Sequence, residues 1–210
     1  MASGTFTAQN KVRPGVYINF ESEPQPIGAI GERGVVAMAL PLSWGAAKQI
    51  TVIESGEDTF CKLGYSISDP KLLLIKEALK RARTLLLYRL NDGQKARATV
   101  GQDTDTLVIE AKHAGVRGND ITVSIQKNVD DESKYDVITY VSSQVVDEQT
   151  VSTASELKPN DWVTFSGVAM TETAGVALTG GEDGTVTNAD HTAFLNEVEK
   201  FDFNTVALVS

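Results

Sequence analysis

Cysteine is nearly absent: Cys61 stands alone among 210 residues, which rules out an internal disulfide and points to synthesis in a reducing cytoplasm. Histidine is scarce as well. His113 and His191, with one thiol, are too few and too scattered for a structural zinc site. Long hydrophobic runs are missing: Leu72 to Ile75 and Thr84 to Tyr88, like the other apolar runs of the chain, fall far short of the roughly 20 apolar residues of a membrane helix. No charged segment followed by an apolar one opens the chain, so no membrane partner is expected. Positive charge is also in deficit. Nineteen Lys plus Arg against 28 Asp plus Glu leave a net charge of −9, which argues against nucleic acid held on a basic surface.

Catalytic and cofactor chemistry is equally thin. His113 falls in a predicted turn and His191 in the first turn of a predicted helix, and both read as solvated residues, because no nucleophile or orienting acid stands at a recognisable spacing. The acidic clusters Asp103 with Asp105, Asp130-Asp131-Glu132 and Glu182-Asp183 lack the Gly at six and Glu at twelve of a calcium loop. They read as solvated loop charges. The glycines around Gly115 and Gly180 lack the Gly-Lys-Ser/Thr ending and the strand-turn-helix setting of a phosphate loop. No enzyme activity, metal or cofactor is expected.

What is present is an alternation of patterns. Met1 to Gly31 is polar and broken by Pro14, Pro24 and Pro26, yet Val16, Ile18 and Phe20 alternate with Tyr17 and Asn19. This is a strand in a loose arm, and it satisfies its amides either on another subunit's sheet or by folding back onto its own. Gly34 to Leu40 and Ile50 to Ile53 are apolar strands. Ser55 and Asp58 predict a capped short helix over 57–63 that stops at Gly64. Asp69-Pro70 opens a second helix ending near Arg83, with Leu72, Ile75, Leu79 and Ala82 on its inner stripe. Its basic groups, Lys71, Lys76, Lys80, Arg81 and Arg83, either meet an acidic partner or form a solvated face. Thr84 to Leu90 is a further strand, closed by Asn91-Asp92-Gly93.

From Gln94 to Gly184 the period becomes that of short strands: 96–100, 107–111, 121–126, 135–141, 145–151 and 162–165. Within this block, Gly115 and Gly118 permit positive φ, and Asn119 and Asp120 can bond their own backbone. Ile121, Val123 and Ile125 then line one strand face. Helical periodicity returns with Asp190 as the expected N-cap and Phe194, Leu195, Val198 and Phe201 facing a core, followed by an apolar strand at 206–209. A final strand with no helix after it leaves one sheet face poorly covered. The chain therefore reads as part of something longer, unless that strand closes a complete small domain.

The fold expected is mixed α+β. An N-terminal arm (1–31) precedes a partial α/β domain (32–93 and 185–210) interrupted by a β-rich, sandwich- or barrel-like insertion (94–184).

Five segments in this order resemble the tail sheath family of contractile phages, phage-like elements and related bacteriocins. They are Arg13-Pro14-Gly15-Val16-Tyr17-Ile18; Gly34-Val35-Val36-Ala37 with Pro41-Leu42 and Trp44-Gly45; the run from Lys71 to Leu90 ending at Asn91-Asp92-Gly93; Ala114-Gly115-Val116-Arg117-Gly118-Asn119-Asp120-Ile121; and Leu178-Thr179-Gly180-Gly181-Glu182-Asp183-Gly184. The resemblance implies a non-enzymatic, self-assembling subunit that surrounds a tail tube protein in stacked helical rings and shortens by rearranging them, driving penetration and delivery. Other sheath subunits, the tube, the baseplate and the tail terminator are the implied partners, in a virion tail assembled in the bacterial host cytoplasm. It assigns Val16, Tyr17, Ile18 and Phe20 to inter-subunit strand pairing, and the two Gly-rich turns (Gly115, Arg117, Gly118, Asn119, Asp120 and Gly180, Gly181, Asp183, Gly184) to family landmarks. It places the β-rich block on the outside of the sheath. Without the C-terminal arm and half of that family, the chain is expected to be a monomer or weak oligomer. The competing reading is a carbohydrate- or receptor-binding module in which Trp162, Tyr135 and Tyr140 either stack on sugars or pack within the fold.

Overall fold

The structure, a computed structural model, describes residues 34–102 and 105–208. The arm strand Val16–Phe20 lies outside the described residues, as do Asp103 and Val209. In chain order the strands are β1 (Val35–Leu40), β2 (Ile50–Glu54), β3 (Thr84–Arg89), β4 (Arg97–Gln102), β5 (Asp105–Ala111) and β6 (Ile121–Lys127). They continue with β7 (Tyr135–Val141), β8 (Gln144–Val151), β9 (Val163–Gly167), β10 (Thr173–Ala177) and β11 (Thr205–Leu208). The helices are α1 (Phe60–Leu63), α2 (Leu73–Leu79) and α3 (Asn188–Val198).

The continuously apolar runs become the interior strands of a mixed sheet ordered β11-β1-β3-β2. There β1 pairs in parallel with both β3 and β11, and β2 closes an edge antiparallel to β3. Both faces are covered, which is why these strands show little alternation. On one face Met38, Leu40, Ile53, Leu85 and Leu87 pack against Leu72, Ile75 and Leu79 of the α2 region. On the other, Ala37, Ala39, Leu86, Tyr88 and Leu90 pack against Phe194 and Val198 of α3.

The alternating strands build two further sheets, β10-β6-β7-β8 and β4-β5-β9, around one core. Leu107, Ile109 and Ala111 of β5 face Ile121, Val123 and Ile125 of β6 and Val137 and Val141 of β7, as a period of two requires. This is a sandwich rather than a barrel. The chain leaves the first sheet after β3, builds the sandwich, and returns to the first sheet with β11 beside β1.

Several local expectations are corrected. Ser55 caps no helix: Gly56 and the Glu57 N–H bond to the Glu54 carbonyl make a tight turn closing β2, and the helix begins only at Phe60. Thr59 precedes it, but its buried hydroxyl donates to the Tyr65 carbonyl at 2.8 Å instead of capping. Gly64 does end this helix, in the left-handed conformation. The next helix opens as a 3₁₀ turn at Pro70–Leu72, anchored by the Asp69 carboxylate accepting from Lys71 N–H, and stops at Leu79 rather than Arg83. Its stripe is nonetheless buried, Ala82 included. In α3, Thr187 is the N-cap and Asp190 is the N3 partner of a capping box. Leu195 and Phe201 point to solvent. Strand β10 escaped notice because Thr-Ala-Gly-Val-Ala carries little apolar periodicity.

Candidate functional site

Two segments cross between the α/β sheet and the sandwich, one outward after β3 and one returning before α3. They pair as a short antiparallel neck. Gln94 and Glu182 exchange two backbone hydrogen bonds at 3.0 Å, and Arg97 and Thr179 exchange two more at 2.8 and 3.0 Å. Around it converge four turns: Ser43–Gly45 after β1, Asn91–Gly93 after β3, Gly115–Asp120 before β6, and Gly180–Gly184.

The two Gly-rich turns are therefore in direct contact. Asn119 does not bond its own backbone. Its carboxamide spans 62 residues of sequence, donating to the Gly181 carbonyl at 3.0 Å and accepting from Gly181 N–H at 2.8 Å. Asp183 ties three segments: Oδ1 accepts from Val116 N–H and Oδ2 from the Ser43 hydroxyl, both at 2.9 Å, while its backbone carbonyl accepts from the Asn91 side chain. Asn91, fully buried, also exchanges hydrogen bonds with the Leu42 backbone. Removing the Asp183 carboxylate loses two charge-assisted hydrogen bonds at once, from the Val116 N–H and from the Ser43 hydroxyl. Asp183→Ala should cost about 1–3 kcal/mol, read as a lower urea midpoint at unchanged slope.

Gly118 is needed for space rather than for positive φ, since an added Cβ would sit 2.9 Å from the Ala96 Cβ. Gly180 is exposed, and Gly184 packs on the Asp92 carbonyl. Asp120, exposed at the end of its turn, accepts from Arg117 at 2.8 Å.

Two buried arginines reinforce the joint. Arg89, at the end of β3, donates to the Gly45 carbonyl at 2.9 Å and the Ala114 carbonyl at 2.7 Å. Burial lowers its pKa, opposed by Asp183 and Asp92, and among the described residues its Nη2 has no hydrogen-bond partner. Arg117 lies over the Tyr65 ring at 4.5 Å and donates from Nε to the Gly64 carbonyl at 2.9 Å. Each fork reaches from one lobe to the backbone of the other, a task that suits a planar, rigid set of donors.

The apolar part of the joint is aromatic. Trp44 leaves the α/β sheet to join the sandwich core, fully buried and stacked on Trp162 with centroids 4.9 Å apart. Phe60 and His113 pack on this pair at 5.0 and 5.2 Å. Trp162, 1% exposed, offers no face to a sugar, and Tyr135 packs half-buried against the sandwich core. Tyr140 is half-buried too.

His113 is not a solvated residue either. Burial, assisted by Lys112, Arg89 and Lys95 and opposed by Asp161, lowers its pKa from 6.5 to about 4. A histidine held neutral in the fold takes its proton more readily when unfolded. Its contribution is complete above pH 6.5 and declines as pH falls towards about 4. Urea midpoints should fall through that window, and His113→Gln should flatten the slope. An equal slope in both proteins would refute the assignment. His191 is half-buried on α3.

Sequence reasoning singled out both turns and named Asn91 only as the head of a third, but missed Ser43 and Arg89. The only signal was a charged residue ending an apolar strand.

This joint separates two regions that match known families consecutively. The family model of the Gp18 tail sheath protein domain III N-terminal region matches residues 33–90. That of the phage tail sheath protein beta-sandwich domain matches residues 91–183. The chain belongs to the phage tail sheath protein family. A sheath tail protein of Desulfitobacterium hafniense is 58% identical with a TM-score of 0.79, covering 92% of this chain and 45% of that one. The Listeria innocua sheath tail protein Lin1278 is 47% identical with a TM-score of 0.78, covering 86% of this chain and 41% of that one. Among curated proteins, the phage-like element PBSX protein XkdK of Bacillus subtilis is 39% identical over 99% of this chain and 48% of its own length. The uncharacterized protein YqbK of the same organism is 43% identical over the same shares. The chain thus spans about half the length of the curated relatives it matches.

Proposed function

We propose that this chain forms part of a self-assembling, non-enzymatic subunit of a contractile tail sheath. Its partners are copies of itself and a tail tube, bounded by a baseplate and a tail terminator. Its contraction drives the tube into a target cell for genome or effector delivery. The supporting observation is the uninterrupted pair of sheath family matches over 33–183. In this reading residues 1–31 are an arm whose Val16, Tyr17, Ile18 and Phe20 pair with a neighbouring subunit. Residues 32–93 and 185–210 belong to one α/β domain, and 94–184 are a β insertion facing outward. The Gly115–Asp120 and Gly180–Gly184 turns act as a rigid neck that makes the two lobes move together. The buried aromatic stack supports this role, because packed cores transmit displacement rather than absorb it.

An antibody against the chain should decorate tails along their whole length in particles released by the strain that encodes it. Labelling confined to the tail tip would favour a receptor-binding module instead, and unlabelled tails would defeat the proposal.

A further inference from the structure

The two helical faces of the α/β sheet differ sharply in charge. Residues 69–83 carry five basic and two acidic side chains, a net +3, in a chain whose total is −9. Residues 188–203 carry four acids and one lysine, a net −3. They sit on opposite faces of one sheet, because α2 packs against Leu85 and Leu87 of β3 whereas α3 packs against Leu86 and Tyr88.

Each face also exposes large apolar side chains beside its charges. On α2, Leu73 is 54% and Leu74 47% exposed. Beyond them Arg81 and Arg83 are exposed, and neither has an ion-pair partner among the described residues. On the α3 side Leu195, Phe201 and Phe203 are exposed. Glu199 lies one turn after Leu195, and Asp202 falls between the two phenylalanines. Asp190 and Glu197 already pair with Lys48 and Lys200, whereas Glu199 and Asp202 have no ion-pair partner among the described residues.

We propose that the basic, leucine-bearing face of α2 docks on the acidic, phenylalanine-bearing end of α3 of a second copy of this chain. Opposite signs on opposite faces make the contact heterologous, head to tail. Such contacts propagate into rings or open helices instead of closing as a two-fold dimer. Exposed leucines and phenylalanines supply desolvated contact area, while the charges orient the encounter. The proposal rests on the subunit reading above and names the surface through which that subunit would repeat.

The test is a charge-swap pair in the whole chain. Arg81→Glu with Arg83→Glu reverses one face, and Glu199→Lys with Asp202→Lys reverses the other. All four residues are exposed, so folding is retained and is checked by circular dichroism. In sedimentation velocity at low salt the unmodified chain should self-associate weakly, and molar salt should dissociate it as the Debye length contracts to about 3 Å. Each variant alone should associate at least about tenfold more weakly, as like charges then meet. An equimolar mixture should recover the association of the unmodified chain, because every α2 face then finds an α3 face of opposite charge on the other variant. Association that survives either reversal, a mixture that stays monomeric, or an unmodified chain that never associates at low salt would each overturn the interface. Tails labelled along their length beside a failed charge swap would leave the subunit reading intact and reject only this contact.

Discussion

Gly115→Ala should lower the stability of the chain by about 3 kcal/mol or more, among the larger losses a single methyl group produces. At φ 129° and ψ 161° Gly115 occupies backbone space reserved almost entirely for glycine. The added Cβ would lie 2.1 Å from the Ser43 carbonyl oxygen and 3.0 Å from Asp183 Oδ1. Relief requires the Ser43–Gly45 turn to move away from the Gly115–Asp120 turn. That movement strains the Asp183 bonds to Ser43 and Val116 and the Arg89 bonds to Gly45 and Ala114. Gly180→Ala is the matched control. Its φ is 81°, but its Cβ would meet nothing within 4 Å, so only the left-handed strain of about 1–2 kcal/mol applies. Urea denaturation of the two variants side by side decides the point. Equal losses would mean that backbone conformation alone, and not the packed neck, sets the cost.

Trp44→Ala is expected to cost about 3–5 kcal/mol, the range for emptying a fully buried aromatic site. The position is unusual in that its backbone follows β1 while its ring lies in the sandwich core. The substitution therefore removes an apolar contact between the lobes, and not merely volume from one of them. Trp44 and Trp162 are the only tryptophans in the chain, which makes the readout specific. Near-UV circular dichroism from the stacked indoles should collapse in the variant. The single unfolding transition expected of the intact chain should separate into two as the lobes lose their coupling. His113 would also lose the ring against which it packs, so the acid dependence should weaken in the same protein. A loss below about 1 kcal/mol with unchanged near-UV dichroism would show that the lobes are joined by the hydrogen-bonded neck alone.

Much of the fold was legible where burial repeats with a simple period. The run Thr84 to Leu90 could be read as a buried strand because both faces of β3 meet apolar partners. The stripe Leu72, Ile75, Leu79 and Ala82 was legible because 3.6-residue spacing persists through the 3₁₀ opening and past the end of α2. Errors arose where one residue type serves two ends. Asp190 has the chemistry of an N-cap and of a capping-box partner, and only the extended backbone of Thr187 separates them. Thr59 could have capped α1, but the nearby Tyr65 carbonyl claimed its hydroxyl. Leu195 and Phe201 matched the helical period, yet the sheet face beneath α3 is already filled by Phe194 and Val198.

Local spacing alone was enough to read the alternation of α/β, β-rich and α/β patterns and the two Gly-rich turns. Each of these depends on neighbours within a few residues, where spacing alone decides which side chains share a face. The assembled fold alone brings the two turns into one joint. Ser43, Asn91, Val116 and Asp183 meet only after β3, the sandwich and the return strand are in place, and no local period encodes a contact across 140 residues such as Ser43 to Asp183. It likewise decided that Trp162 is an internal strut and that His113 is held neutral. Both outcomes follow from Trp44 crossing into the sandwich core, a position set by the path of the whole chain.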